Sequence, residues 1–105
     1  MFFRKKGQSS FFYRDKGNFF VYVLSDKVTV FRSYLRKGYD FRLNYEKGAP
    51  ILLDKELVGD TPEDKVIIHA EFDGSYRVIS SEIHGGRFLT PKEYEELSKQ
   101  KEEQK

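Results

Sequence analysis

Apolar and polar residues alternate with a period of two along most of the chain, a spacing that predicts strands rather than helices. The clearest case covers residues 39–46, where every odd position is apolar and every even position is polar. This pattern indicates a strand with one face buried and the other in water. Residues 19–24 are apolar on both faces instead, which predicts a central strand or one whose outer face binds a partner. Those two faces consist of Phe19, Val21 and Val23 and of Phe20, Tyr22 and Leu24.

Turn-forming residues divide this pattern into separate strands. The turn at residues 15–18 lies between residues 11–14 and 19–24 and predicts a hairpin, because its Gly and Asn accept a positive φ. Asp73-Gly74 predicts a second hairpin, whose register stays open because loops of different length pair different partners. The acidic segment 54–65, which also contains Pro and Gly, predicts a long loop. Further strands are expected at residues 28–33, 39–46, 51–53, 65–72 and 76–83, with 51–53 at a sheet edge.

One helix is predicted near the end of the chain. Thr90 is its N-cap, Pro91 takes the first helical position, and Glu93 reaches back to complete a capping box. Tyr94 and Leu97 are the residues that give this helix an apolar face, so we expect it to dock by its first two turns.

The predicted fold class is therefore mostly β, a small antiparallel curled sheet or barrel of about six to seven strands with one C-terminal α-helix. Residues 1–105 are expected to form a single β-rich domain. Within it, residues 1–8 are expected to be a flexible N-terminus and residues 99–105 a frayed, charged tail.

Composition narrows the cellular setting and the chemistry. The chain contains no cysteine, which excludes disulfides, thiolate catalysis and cysteine-ligated metals and suits a reducing compartment. No apolar run is long enough for a membrane-spanning helix or a signal peptide. Residues 2–6 combine two rings with three cations, which support only weak adsorption to an anionic membrane. We therefore expect a cytoplasmic protein with no stable membrane association.

Positive charge and aromatic rings are concentrated in the same part of the chain. Residues 1–49 hold 11 Lys/Arg, 4 Asp/Glu and 13 of the 17 Phe and Tyr, whereas residues 50–105 hold 8 Lys/Arg and 13 Asp/Glu. Because cations meet phosphates and flat rings stack on bases, this predicts a surface for single-stranded nucleic acid. We expect Phe12 and Arg14 to lie beside Phe20 and Tyr22 across the first hairpin. The candidate nucleic-acid-binding residues are Phe12, Arg14, Lys16, Phe20, Tyr22, Arg32, Arg36, Lys37 and Arg42.

Two other interpretations of the same residues stay open. The rings would also fill the core of a domain that has no Trp. An apolar outer face would equally serve a protein–protein interaction module or a small inhibitor, by edge-strand addition or side-chain docking. The acidic segment 54–65 would then meet a basic partner protein, or the basic half of a second copy in a homo-oligomer.

Enzymatic activity is the weaker interpretation. His69 and His84 are the acid and base that a metal-independent ribonuclease would need. If the 73–74 turn sets the register, however, His69 lies opposite about position 78 and the two imidazoles stand roughly 15 Å apart. Metal-ligand spacings at His69-x-Glu71-x-Asp73 and Glu82-x-His84 follow from strand alternation alone. The sequence therefore predicts a binding protein without a catalytic site, metal or cofactor.

Overall fold

Eight strands in two antiparallel sheets, followed by one helix, make up the part of the chain that the structure describes. The structure is a computed structural model that describes residues 11–103, with side chains as far as Lys99. The expected flexible segment 1–8 lies outside the described residues, as do residues 104 and 105. The elements are β1 Tyr13–Asp15, β2 Asn18–Ser25, β3 Val30–Leu35, β4 Phe41–Leu43, β5 Ile51–Val58, β6 Lys65–Phe72, β7 Val78–His84, β8 Gly86–Leu89 and α1 Pro91–Glu103.

The first sheet is built around β2. Strand β3 pairs along one side of β2, whereas β1 and β8 share its other side, β1 beside residues 18–20 and β8 beside residues 22–25. The second sheet has the strand order β4-β5-β6-β7. The predicted class, mostly β with a C-terminal helix, is confirmed, although the described residues form eight strands in two curled sheets and not a closed barrel.

The inner faces of the two sheets enclose a hydrophobic core. Strand β2 has the predicted alternation, because Phe19, Val21 and Val23 are buried in the core and the even residues lie on the outer face. Phe41 and Phe72 of the second sheet contact Phe19 and each other, with ring centroids 5.1–6.0 Å apart. Each fully buried apolar side chain contributes about 1.5–3 kcal/mol to folding, so the inward face of β2 is fixed by energetics and not only by pattern.

The first hairpin forms where the sequence predicts it. Lys16 and Gly17 both have positive φ, 51° and 86°, which identifies a two-residue type I′ turn. This turn pairs Tyr13 with Phe20 across the hairpin. Because side chains alternate between the two faces of a strand, Tyr13 lies on the outer face and Phe12 on the inner side.

Two strand predictions in the middle of the chain were wrong in extent. Strand β4 pairs only over residues 41–43, so most of the predicted strand 39–46 is not in a ladder. Strand β5 continues to Val58 and is a central strand, not the expected edge. Its charged residues 54–56 have the composition of a loop. Asp54 and Glu56, however, lie on the face of the second sheet that is in water, and Lys55 on the opposite face pairs with Asp40. The loop between β5 and β6 is therefore only residues 59–64.

The second hairpin turns at Asp73-Gly74 as predicted, but its loop has five residues, and β7 has a bulge at Ile79 because Glu71 pairs with Ser80 and Phe72 pairs with Val78. As a result His69 lies opposite Glu82 and not opposite position 78, and His84 lies opposite Ile67. The two imidazoles are diagonal neighbours on one face, a relation that separates residues by about 7–8 Å, so they are closer than expected.

Helix α1 begins at Pro91, as predicted. The Thr90 N–H donates to Glu93 Oε1 at 2.9 Å and the Glu93 N–H donates to Thr90 Oγ1 at 3.1 Å, which completes the capping box. The first of these bonds contributes most to lowering the pKa of Glu93. The helix packs on the outer face of the first sheet against β2, β3 and β8. Within residues 11–103 no helix is long and apolar enough to cross a membrane.

Candidate functional site

The outer face of the first sheet carries three aromatic rings in line, one from each of three adjacent strands. Tyr13 of β1 lies directly opposite Phe20 of β2, and Phe20 lies directly opposite Tyr34 of β3. The ring centroids are 5.6 Å apart for Tyr13 and Phe20 and 6.0 Å apart for Phe20 and Tyr34. We call these three residues the aromatic row. They form a continuous apolar strip across the strands.

Arg32 brings a positive charge to the aromatic row. It lies two residues before Tyr34 on β3, and therefore on the same face. Its guanidinium carbon is 5.6 Å from the ring centroid of Phe20 and 5.5 Å from that of Tyr34. Its Nη2 donates a hydrogen bond to Tyr34 Oη at 3.3 Å. Cation–π contacts at exposed sites contribute about 0.5–1 kcal/mol each, so Arg32 is held over the row while its charge stays in solvent.

The tyrosine hydroxyls of the row have defined surroundings. Tyr34 Oη donates to Asp15 Oδ2 at 3.3 Å. Burial raises the pKa of Tyr13 above its ordinary value, and the nearby Tyr22 and Glu93 raise it further. The Tyr13 phenol is therefore neutral at neutral pH and adds no negative charge to this surface.

Helix α1 covers the other part of the same face. Tyr94 stacks on Tyr22 with ring centroids 4.3 Å apart and planes inclined by 27°. Leu89 of β8, opposite Tyr22, is fully buried. Tyr22 therefore takes part in docking the helix, and the open part of the outer face is the aromatic row.

The structure brings five of the nine predicted binding residues to this surface or its border. Phe20, Tyr22 and Arg32 lie on the face itself. Lys16 is exposed at the tip of the first hairpin, and Arg36 is exposed just after β3. The sequence interpretation missed Tyr13 and Tyr34, whose place in the row follows from the hairpin register and from pairing with β3.

Phe12 and Arg14 do not lie on this face, and the prediction that they flank the even residues of β2 was wrong. Phe12 is buried in the core, where its ring centroid is 5.3 Å from that of Phe72. Arg14 lies opposite Phe19 on the inner side, with its guanidinium 5.3 Å from that ring. The physical reason is the two-residue turn, because its register gives the outer position to Tyr13.

Lys37 and Arg42 are directed to other parts of the molecule. Lys37 Nζ lies 4.2 Å from the ring centroid of Tyr76, at one end of the core between the sheets. Arg42 lies on the second sheet, where its Nη2 is 2.7 Å from Asp54 Oδ2. Arg42 and its carboxylate partner both lie on the second sheet, whereas the aromatic row lies on the first. Arg42 therefore does not extend the positive charge beside the row.

The two histidines lie on the outer face of the second sheet. His69 Nδ1 is 2.6 Å from Asp54 Oδ1, and this hydrogen bond is the main cause of the lowered pKa of Asp54. His84 Nε2 is 3.7 Å from Glu82 Oε2. Each imidazole is therefore placed against a carboxylate.

This outer face has an excess of acidic groups. Four carboxylates share it with two permanent cations, and these residues are Asp54, Glu56, Glu71, Glu82, Arg42 and Lys65. A negative surface repels phosphates, so these charges oppose RNA cleavage by His69 and His84. The ribonuclease interpretation stays a prediction. Among residues 11–103, no group of three or more acidic or imidazole side chains is arranged to hold a metal ion.

A cleft of about 420 Å³ opens where the β2–β3 turn meets the β5–β6 loop. It is lined by Lys27, Thr29, Asp60, Thr61, Glu63 and Asp64. Asp64 is only 4% exposed and accepts a hydrogen bond from Thr29 Oγ1. The neighbouring hydroxyls of Ser25 and Thr29 hold the pKa of Asp64 below its ordinary value. These contacts join the two sheets, and we assign Asp64 to that structural role.

Comparison with protein-family models, with curated proteins and with solved structures gave no match for this chain. A functional proposal therefore depends on the geometry of the site.

Proposed function

We propose that this protein binds single-stranded nucleic acid on the outer face of its first sheet. The aromatic row is the observation that carries the proposal, because three rings in line across adjacent strands offer stacking positions to successive bases. Tyr34 is 45% exposed and Arg32 lies beside it, so a ring face and a cation are available to the same nucleotide.

Stacking is expected to supply more of the affinity than charge. The cations on or beside the row are Lys16, Arg32 and Arg36, and the carboxylates are Asp15 and Glu93. Because these charges nearly balance, we expect the protein to neutralise about one to three phosphates, which gives a slope of log K against log salt of about −0.7 to −2. Each stacked base contributes about 1–3 kcal/mol.

The experiment is a titration of fluorescein-labelled oligothymidine and oligouridine, each about eight nucleotides long, followed by anisotropy. Wild-type protein should bind, and affinity should fall modestly between about 50 and 200 mM salt. Tyr34→Ala and Arg32→Ala should each weaken binding, Tyr34→Ala by about 5- to 150-fold because one stacked base is lost.

Arg42→Ala is the matched control, since it removes an exposed arginine from the second sheet. We expect this variant to bind like the wild type. Absence of binding at low salt would remove the proposal. An equal loss in Arg32→Ala and Arg42→Ala would mean that net charge, and not the aromatic row, attracts the oligonucleotide.

A partner polypeptide is the second candidate, and the free edge of β3 favours it. The Ser25 N–H donates to Thr29 O at 2.8 Å, so the alternation of the ladder directs the backbone amides of Val30, Arg32 and Tyr34 away from β2. No other strand of residues 11–103 lies on that side. A second copy of the chain is the partner to test first, by sedimentation at increasing protein concentration. A monomer throughout would count against self-pairing at this edge.

A further inference from the structure

We propose that the single-stranded nucleic acid continues past the aromatic row onto Arg36 and Tyr39, which extend the binding track at the end of the first sheet. This inference rests on the proposed function and lengthens its site. The starting observation is Tyr39, which is 83% exposed although it is a large aromatic residue. The guanidinium of Arg36 lies 5.9 Å from its ring centroid.

Arg36 follows directly from the row. It stands two residues after Tyr34 and directly follows Leu35, which pairs with Phe19 at the end of the β2–β3 ladder. Two residues of strand span about 7 Å, a distance that neighbouring nucleotides of an extended single strand bridge easily. The helix covers the opposite end of this face, where Tyr94 stacks on Tyr22. The open direction for the strand is therefore from Tyr34 towards Arg36.

The turn that carries Tyr39 is firmly held. The Arg36 N–H donates to Asp40 Oδ2 at 2.8 Å, and the N–H groups of Tyr39 and Asp40 both donate to Arg36 O, at 3.0 and 2.8 Å. Lys55 Nζ pairs with Asp40 Oδ1 at 3.0 Å and fixes the turn to the second sheet. A ring on such a turn loses little freedom when a base stacks on it, because its backbone is already ordered.

The chemistry of the pair suits a nucleotide. Arg36 lies towards one side of the Tyr39 ring, and the high exposure leaves ring surface to which a base can stack. The guanidinium then meets the adjacent phosphate, since arginine presents several N–H donors in a fork. Stacking at Tyr39 would therefore add one nucleotide to the site occupied at the row.

The test compares oligothymidine of two lengths, about four and about eight nucleotides, the shorter chosen to cover the row alone. Tyr39→Ala should weaken binding of the longer probe by about 5- to 150-fold and leave the shorter one unchanged. Tyr45→Ala is the matched control because this tyrosine is 90% exposed but follows the far end of β4, about 20 Å along the chain from Tyr39 if extended. It should change neither affinity.

The outcomes separate the two proposals. If wild-type protein binds both probes and Tyr39→Ala binds the longer one as tightly as the wild type, the extended track is wrong and the row still binds. If Tyr39→Ala weakens both probes equally, or lowers the melting temperature, the residue acts through the fold and the inference fails. If neither probe binds wild-type protein, the proposed function fails, and the track fails with it.

Discussion

The turn between β2 and β3 places a valine where the backbone favours glycine. Val28 has a φ of 68° and is 67% exposed. The Ser25 N–H donates to Thr29 O and the Val28 N–H donates to Ser25 O, so residues 26–28 form a three-residue hairpin loop that ends in the left-handed region. A β-branched residue in that region is strained, because its Cβ approaches the following carbonyl oxygen.

We expect Val28→Gly to stabilise the protein by about 1 kcal/mol. Removing the left-handed strain contributes about 1–2 kcal/mol, and the greater freedom of glycine in the unfolded chain offsets about 0.5–1 kcal/mol of it. Thermal unfolding should show a rise of about 4–8 °C per kcal/mol. Val58→Gly is the control, since this half-exposed valine lies in β5 without a positive φ and should lose stability when replaced. If the melting temperature of Val28→Gly were at or below the wild-type value, the backbone of Val28 would not be strained as we infer.

At the scale of elements, a single glycine carries the chain from the second sheet to the first. Gly85 is the one residue between β7 and β8, and it has a φ of 87°. A Cβ at this position would collide with the carbonyl oxygen of Lys65. Its own carbonyl accepts a hydrogen bond from the Asp26 N–H at 2.8 Å. The sharp corner between the sheets therefore depends on the absence of a side chain.

Gly85→Ala should destabilise the protein by about 2–5 kcal/mol, the sum of left-handed strain of about 1–2 kcal/mol and a forced backbone shift of about 1–3 kcal/mol. Urea unfolding measures this change. Gly74→Ala is the matched control, because that glycine has open space around its Cβ position and no positive φ. We expect its unfolding midpoint to stay within a few tenths of a molar of the wild-type value. Equal effects of the two substitutions would show that the corner tolerates a side chain.

How well each strand could be predicted follows from where its partners lie. The first hairpin was predicted because its turn residues are adjacent in sequence and impose a local geometry. The extent of β5 was not predicted, because its charged residues are accommodated by contacts with strands that are distant in sequence. Asp54 contacts His69 and Arg42, and Glu56 Oε2 lies 3.7 Å from Lys65 Nζ. Composition alone does not distinguish such a solvated strand from a loop.

At the scale of the whole molecule, the two sheets are joined differently at the two ends of the core. At one end, the carboxylate of Asp64 on the β5–β6 loop accepts a hydrogen bond from the hydroxyl of Thr29 on the β2–β3 turn. At the other end, Tyr76 of the β6–β7 loop stacks on Phe19 of β2, with ring centroids 6.2 Å apart, and Lys37 lies over the Tyr76 ring. The first junction is polar and titratable, and the second is aromatic.

The polar junction makes stability depend on acid pH. Because the folded state holds the pKa of Asp64 below its ordinary value, its contribution is fully present above about pH 4 and is lost as pH falls through the folded pKa. We expect Asp64→Asn to lower the urea midpoint at neutral pH and to differ less from the wild type near pH 3. Asp60→Asn, on the exposed part of the same loop, should match the wild type at both pH values. A constant difference between Asp64→Asn and wild type at both pH values would contradict the role of the charge.

The folded molecule also redistributes the charge that the sequence concentrates in residues 1–49. Of its cations, Arg32 lies beside the aromatic row, Lys37 lies over a ring at the end of the core, and Arg42 pairs with Asp54 on the second sheet. The candidate surface is therefore less basic than the composition suggests. Its distinguishing feature is the line of rings, which composition cannot reveal because it depends on strand register.

The sequence by itself determined the local features of this protein. The strand period, the two faces of β2, the first hairpin turn and the capped start of α1 all follow from contacts between residues a few positions apart, which the order of residues specifies directly. The tertiary structure alone decided which strands pair, where β5 ends, and which side chains share a surface. Tyr13, Phe20 and Tyr34 meet only because two separate ladders align them, and a change of one residue in either register would turn a ring to the opposite face.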